Sequence, residues 1–253
     1  MNREEYIDQV IKQHLSDNKC YEYISKETAE EYMNAAVSEF MDYINEPGKN
    51  LIDEHTIYLE RALRINKRIP IFYCMPKVHK NKIPCPLRPV VAQIGSPYHA
   101  ISKVIDSYIQ ELLPSVELYI KDSDDLLKEL KEFGTINDDT FITIADAVAM
   151  YPNIDNNEAL FQLKTALDLH LFEIRPNWPR KQIIKGIELI LKFNVFQFRN
   201  IYIRQKNGAA IGGPFSSAWA IITFELIESK LLKPKFKNNI LLLKRFIDDM
   251  MIV

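Results

Sequence analysis

Acidic residues are missing from one stretch of this 253-residue chain: residues 61–105 hold nine lysines and arginines and no aspartate or glutamate. Residues 1–60 are the reverse, with 5 basic and 14 acidic side chains. The formal charge of −2 therefore conceals two blocks of opposite sign. A one-signed basic block makes a local field suited to phosphate, unless the acids of residues 1–60 fold against it and cancel it. Cysteine is sparse too. Cys20, Cys74 and Cys85 form no CxxC pair and have no histidines at zinc-site spacing, which argues against a zinc framework and for a reducing compartment. The start, Met1-Asn2-Arg3-Glu4-Glu5-Tyr6, is too charged for a secretory leader. The most apolar stretch, residues 209–224, falls short of the about 18–20 residues of a membrane span and is broken by Gly212-Gly213-Pro214. An intracellular protein, nuclear or cytoplasmic, neither secreted nor membrane-bound, is expected. Glycine is scarce, at 7 residues, and proline plentiful, at 13. With no internal repeat and no low-complexity linker, one integrated α+β unit is expected.

Tyr6, Val10, Ile11 and Leu15, then Tyr32, Ala36, Val37, Phe40, Met41 and Ile44, recur at helical spacing, and Pro47-Gly48 ends the second helix. A further helix is predicted over residues 52–63. Residues 69–75 read as a strand, and the prolines at 76, 84, 86, 89 and 97 then exclude helix, so extended segments present Lys77, Lys80, Lys82 and Arg88. Helices follow over residues 98–113, 123–133, 156–169 (capped by Asn156 or Asn157), 181–193 and 218–232. Arg199-Asn200 is a hairpin turn between residues 196–198 and 201–203, and residues 208–217 form a loop.

Three acids stand out against this background. Asp248 and Asp249 lie side by side in Lys244-Arg245-Phe246-Ile247-Asp248-Asp249-Met250-Met251-Ile252-Val253, and Asp146 ends the apolar run Phe141-Ile142-Thr143-Ile144-Ala145. Neighbouring carboxylates repel and are expensive to bury. A hairpin with the acids at its tip resolves this, either simply solvated or neutralised by a divalent cation. Magnesium takes oxygen ligands from a few carboxylates plus substrate phosphates, and two such ions can clamp an in-line phosphoryl transfer.

In order along the chain come Met75-Pro76-Lys77-Val78-His79-Lys80, Leu87-Arg88-Pro89-Val90-Val91, Asp146 to Tyr151-Pro152-Asn153-Ile154, Gly208 to Ser216, and Phe246-Ile247-Asp248-Asp249. Together they resemble a reverse transcriptase and are most similar to the Penelope-like retroelements. Tyr119-Ile120-Lys121-Asp122-Ser123 also matches a segment of that family, and the likeness spans roughly residues 70–253. The resemblance implies a right-hand polymerase fold of the α+β class. Residues 1–60 would be an N-terminal helical segment, 61–135 the fingers, and 136–253 the palm, with finger helices inserted at about 155–205. It makes Asp146, Asp248 and Asp249 the catalytic acids holding two Mg2+ ions, with Mn2+ able to substitute. Tyr151 would lie under the incoming sugar and reject a 2′-hydroxyl, where the plainer reading is a core tyrosine. Lys77 and Arg88 would grip the triphosphate. Lys80 and Lys82 would touch the nucleic-acid backbone, or else be merely solvated. Gly212 and Gly213 would let the backbone approach a nucleotide, or else make a simple turn.

The chain departs from the family pattern at Gly213 (serine in the family), Pro152 (threonine), Ala145 (an aromatic residue) and Phe246 (tyrosine or alanine). None of these removes a carboxylate, Lys77 or Arg88. It stops four residues beyond Asp249, before later palm segments and the thumb, and carries no GIY-YIG endonuclease sequence. The expectation is RNA-templated addition of deoxynucleoside triphosphates to a DNA primer. The alternatives are a non-catalytic retroelement remnant that binds nucleic acid and, last, a magnesium-dependent phosphohydrolase, in which Lys77, Arg88 and Tyr151 have no evident purpose.

Overall fold

The short apolar runs pair into two separate sheets. A computed structural model describes residues 1–47, 51–236 and 238–253, apart from the side chains of 231–234. The larger sheet has the strand order β1 (Tyr21–Ile24), β6 (Ile201–Gln205), β5 (Val195–Phe198), β2 (Ile71–Pro76) and β3 (Leu87–Ala92). Its pairings are antiparallel except β2 with β5, which touch in parallel at Ile71 and Gln197. The smaller sheet is antiparallel, in the order β4 (Thr143–Asp146), β8 (Asp249–Ile252) and β7 (Leu243–Phe246). Around them pack α1 (Arg3–Val10), α2 (Lys26–Asn45), α3 (Asp53–Ile65), α4 (Pro97–Ile109), α5 (Ser123–Phe133), α6 (Asn156–Asp168), α7 (Arg180–Lys192) and α8 (Ser216–Phe236).

Local chemistry explains most boundaries. Asn2 and Glu5 form a reciprocal capping box on α1. Asp122 caps α5 by accepting the Asp125 N–H at 2.9 Å. The cap of α6 is Asp155, not the expected Asn156 or Asn157; its carboxylate accepts the N–H groups of both Asn157 and Glu158 at 3.0 Å. The helix expected to Leu113 stays α-helical only to Ile109, then tightens into a 3-10 segment, Gln110–Ser115, that accommodates Pro114. α2 ends at Asn45; Gly48, the second half of the expected stop, lies outside the described residues. The strand β1, which was not expected, exists through its pairing with β6.

The main core joins α2, α3, α4, α6, α7 and α8, with Phe40, Tyr98 and Trp219 fully enclosed. α4 and α7 approach closely at Gly186, where an added Cβ would stand 3.0 Å from Ile105 Cγ1 and 3.2 Å from the Tyr43 hydroxyl. Gly186→Ala gains about 1 kcal/mol of helix propensity, but overpacking costs about 1–3 kcal/mol. A lower urea midpoint is therefore expected; a rise would mean that Ile105 finds another rotamer without strain.

A second core fills the space between the larger sheet and α1 with its π-helical extension Ile11–Leu15. Polar side chains of this segment bond the sheet backbone. Tyr6 donates to the Cys74 carbonyl at 3.0 Å and accepts its N–H at 2.7 Å. Gln13 spans the Cys85 carbonyl and the Leu87 N–H, and a His14 ring nitrogen lies 3.1 Å from the Leu87 carbonyl. Burial holds His14, His55 and His99 below the ordinary histidine value of 6.5. As pH falls, the unfolded chain takes up these protons before the folded one. Their contribution to stability is thus complete above about pH 6.5 and is lost as pH drops through the folded values. Urea midpoints should fall between about pH 7 and about pH 5, and His14→Gln, which can still donate to Leu87, should remove part of that slope. An unchanged pH profile in the variant would contradict the assignment to His14.

Candidate functional site

The smaller sheet carries the acids. In the β4–β8 ladder Thr143, Ile144, Ala145 and Asp146 stand opposite Ile252, Met251, Met250 and Asp249. Asp146 and Asp249 are therefore direct cross-strand neighbours, and such pairs hold their Cβ atoms about 4.5–5.5 Å apart. Asp146 closes its strand rather than following it, and Asp249 opens β8, so the turn itself is Ile247-Asp248. The Ala147 N–H donates to the Asp248 carbonyl at 2.8 Å, tying the turn to the end of β4. All three acids are exposed. Among the described residues none of their carboxylates meets a cationic side chain or a hydrogen-bond donor. Two charges about 5 Å apart in water repel by less than about 1 kcal/mol, so the fold tolerates the pair, and a cation would find it free.

The structure assembles a pair rather than a cage. Among the described residues no three His, Cys, Asp or Glu side chains are grouped to hold a metal ion. The ladder sets only Asp249 opposite Asp146, while Asp248 lies in the turn before β8. Oxygen donors from one or two carboxylates, completed by phosphates, are the set magnesium accepts. The donor chemistry fits that ion.

Tyr151 sits in the turn after β4, with Met150 buried beside it and its hydroxyl 3.1 Å from Ser217 Oγ in the first turn of α8. The glycine loop runs past it. The Ala209 N–H donates to the Tyr151 carbonyl at 3.0 Å, and Gly208 has φ 79°, with an added Cβ only 2.5 Å from that same carbonyl. The loop then reaches β3, where the Val91 N–H donates to the Ile211 carbonyl at 2.7 Å. Gly212 has φ 102°, and its added Cβ would lie 2.8 Å from the Val91 carbonyl. Gly213 packs against Ser216 and Gln93. Both expected nucleotide-approach glycines thus have an intramolecular reason to be glycine, and the loop staples the Tyr151 turn to the strand bearing Arg88.

The cations lie on the larger sheet. Arg88 stands opposite Met75, and the Lys77 N–H donates to the Pro86 carbonyl at 2.8 Å, so Lys77 and Arg88 share one face. Lys80 and Lys82 are exposed in the connection between β2 and β3. Among the described residues, none of the nine cations of residues 61–105 forms an ion pair. Among the described residues, Glu22, Glu30 and Glu39 of residues 1–60 pair with Arg204, Lys26 and Lys192, not with this block.

Behind the acid hairpin lie residues that the sequence reading passed over. Arg245, only 2% exposed, bonds Glu228 of α8 through both carboxylate oxygens. Burial raises the Glu228 carboxyl pKa, and the guanidinium pulls it part of the way back. The available signal was Glu225 and Glu228, three apart at the end of the apolar run that opens α8, ahead of its lysines.

No protein-family model matches the sequence, and neither does any curated protein. Solved structures do match. Apo telomerase from Candida tropicalis superposes with a TM-score of 0.51 at 12% identity, over 72% of this chain and 38% of that one. The same enzyme truncated from its C-terminal domain gives 0.52 at 12% identity, over 72% and 43%. The chain thus spans about two fifths of the length of these structures. Among the described residues no helix is long and apolar enough to cross a membrane. The chain has a mixed helix-and-sheet fold like that of telomerase, a reverse transcriptase-related enzyme.

Proposed function

We propose that the chain is the fingers and most of the palm of an RNA-directed DNA polymerase from a Penelope-like retroelement. The observation that carries this is the cross-strand pair Asp146 and Asp249, exposed and, among the described residues, without a protein cation. Asp146 and Asp249, with Asp248 beside them, would hold magnesium, or manganese in its place. The ions would supply charge neutralisation of the reacting phosphates. Lys77 and Arg88, without acidic partners among the described residues and sharing a face, are donors for a triphosphate. Tyr151, fixed by Ser217, would meet the sugar and exclude a 2′-hydroxyl. Gly212 and Gly213 would hold the loop against the strand bearing Arg88, and Lys80 and Lys82 would follow the backbone of template or primer.

Manganese, whose paramagnetism reports its own binding, provides the test. The 253-residue chain should bind Mn2+ in an electron paramagnetic resonance titration, with Mg2+ competing. Asp146→Asn and Asp249→Asn should each weaken binding at least about tenfold. Both variants should remain folded, because they relieve a repulsion instead of creating a buried charge. Extension of a DNA primer on an RNA template with deoxynucleoside triphosphates then tests the reaction itself. Mn2+ binding indifferent to both substitutions would overturn the reading. Binding of nucleic acid without any metal would favour the non-catalytic alternative.

A further inference from the structure

We infer that Arg245 is a positioning residue, whose guanidinium, held by Glu228 of α8, sets the turn that presents Asp248 and Asp249. The part of this concerning metal binding rests on the reading of the acid pair given above. One residue ties the hairpin turn to two other parts of the fold, α8 and the segment before α5. Its Nε donates to Glu228 Oε2 at 3.0 Å, a second guanidinium nitrogen donates to Oε1, and Nη1 donates to the Ile247 carbonyl at 3.1 Å. Its main chain pairs with residues before α5: the Arg245 N–H donates to the Leu118 carbonyl at 2.7 Å, and the Ile120 N–H donates to the Arg245 carbonyl at 2.8 Å. The guanidinium also lies over the Phe224 ring, 5.3 Å from its centre.

Two observations show why the turn needs holding. Ile247 has φ 54°, a left-handed conformation that a β-branched residue rarely adopts. Its carbonyl receives the Nη1 bond, and the next carbonyl, that of Asp248, receives the Ala147 N–H from the end of β4. The turn is thus clamped at consecutive peptide groups, one clamp from below and one from the strand bearing Asp146. α8 serves as the common frame. Ser217 at its start holds Tyr151, Glu225 accepts the Leu118 N–H at 3.1 Å, and Glu228 holds Arg245. Ser217 and Glu228 are about 16 Å apart along a helix rising about 1.5 Å per residue.

A buried ion pair is a poor device for stability, since apolar residues of similar volume often serve as well or better. What an apolar pair cannot do is bond the Ile247 carbonyl. The double variant Glu228→Leu with Arg245→Met separates the two roles. Its urea midpoint should equal or exceed that of the unaltered chain. Hydrogen exchange at the Ala147 amide should be at least tenfold faster, exchange at Phe196 in the other sheet unchanged, and Mn2+ affinity at least fivefold weaker. Arg245→Lys, which keeps a cation opposite Glu228 but loses the guanidinium fork, should move in the same direction and decides the matter if the double variant does not fold. Unaltered Ala147 exchange and Mn2+ affinity in a folded variant would overturn the inference. If the unaltered chain binds no Mn2+, the reading of the acid pair fails separately, and Ala147 exchange alone upholds or overturns the hold of Arg245 on the turn.

Discussion

Replacing Glu228 alone with alanine should cost the fold about 3–5 kcal/mol, the usual penalty for leaving one member of a buried ion pair without its partner. Glu228 is 7% exposed and Arg245 2%, so water cannot take the place of the lost carboxylate without opening the contact between α8 and the smaller sheet. A domain has only about 5–15 kcal/mol in total, so this one substitution should remove a large fraction of it and shift the urea midpoint accordingly. The surface pair Lys164–Glu188 is the contrast. Its nitrogen and oxygen are 2.7 Å apart, but its side chains are 45% and 37% exposed, and Lys164→Ala should cost less than about 1 kcal/mol. Burial decides which contact matters, not distance. A loss below about 1 kcal/mol for Glu228→Ala would mean that Arg245 can swing out to solvent, and it would weaken the case for a rigid hairpin.

The second large effect is in nucleic-acid binding. If Lys77, Lys80, Lys82 and Arg88 each neutralise one phosphate, log affinity should fall with log salt at a slope of about −3.6, from about −0.9 per contact. Raising salt from about 50 to about 200 mM would then weaken binding of an RNA–DNA duplex about 150-fold. Fluorescence anisotropy of a labelled duplex at several salt concentrations measures this directly. Changing all four to alanine should flatten the slope towards the residue left by the remaining cations. Changing Lys164, Arg175, Arg180 and Lys192, which already pair with acids, should leave it nearly unchanged. A slope that the first variant preserves and the second abolishes would place the phosphate contact on the other side of the molecule.

Much of this molecule was legible before any fold was known, wherever the determinant was local. α5 has the expected bounds because Asp122 caps it and Gly134, at φ 83°, follows its last turn. The proline-rich stretch holds no α-helix, as covalent geometry requires, but it is not wholly extended: Val78–Lys80 forms a single 3-10 turn that carries Lys80. Asp146 and the Asp248–Asp249 pair were read as strand ends because the flanking apolar runs are short and the acids resist burial. What depended on a distant partner was not legible. Tyr21–Ile24 is a strand only because β6, about 180 residues later, pairs with it. Phe141 and Ile144 belong to the apolar run before Asp146, yet they are 83% and 80% exposed; Phe141 precedes β4, and β4 is the edge of its sheet, with no strand beyond it among the described residues. The acids were visible as residues, but which of Asp248 and Asp249 faces Asp146 was a matter of register, and a shift of one residue exchanges the faces. The same holds for Arg245 and Glu228. As residue types they were ordinary surface charges, and only the packing of α8 against the smaller sheet buried them together and gave the hairpin its anchor.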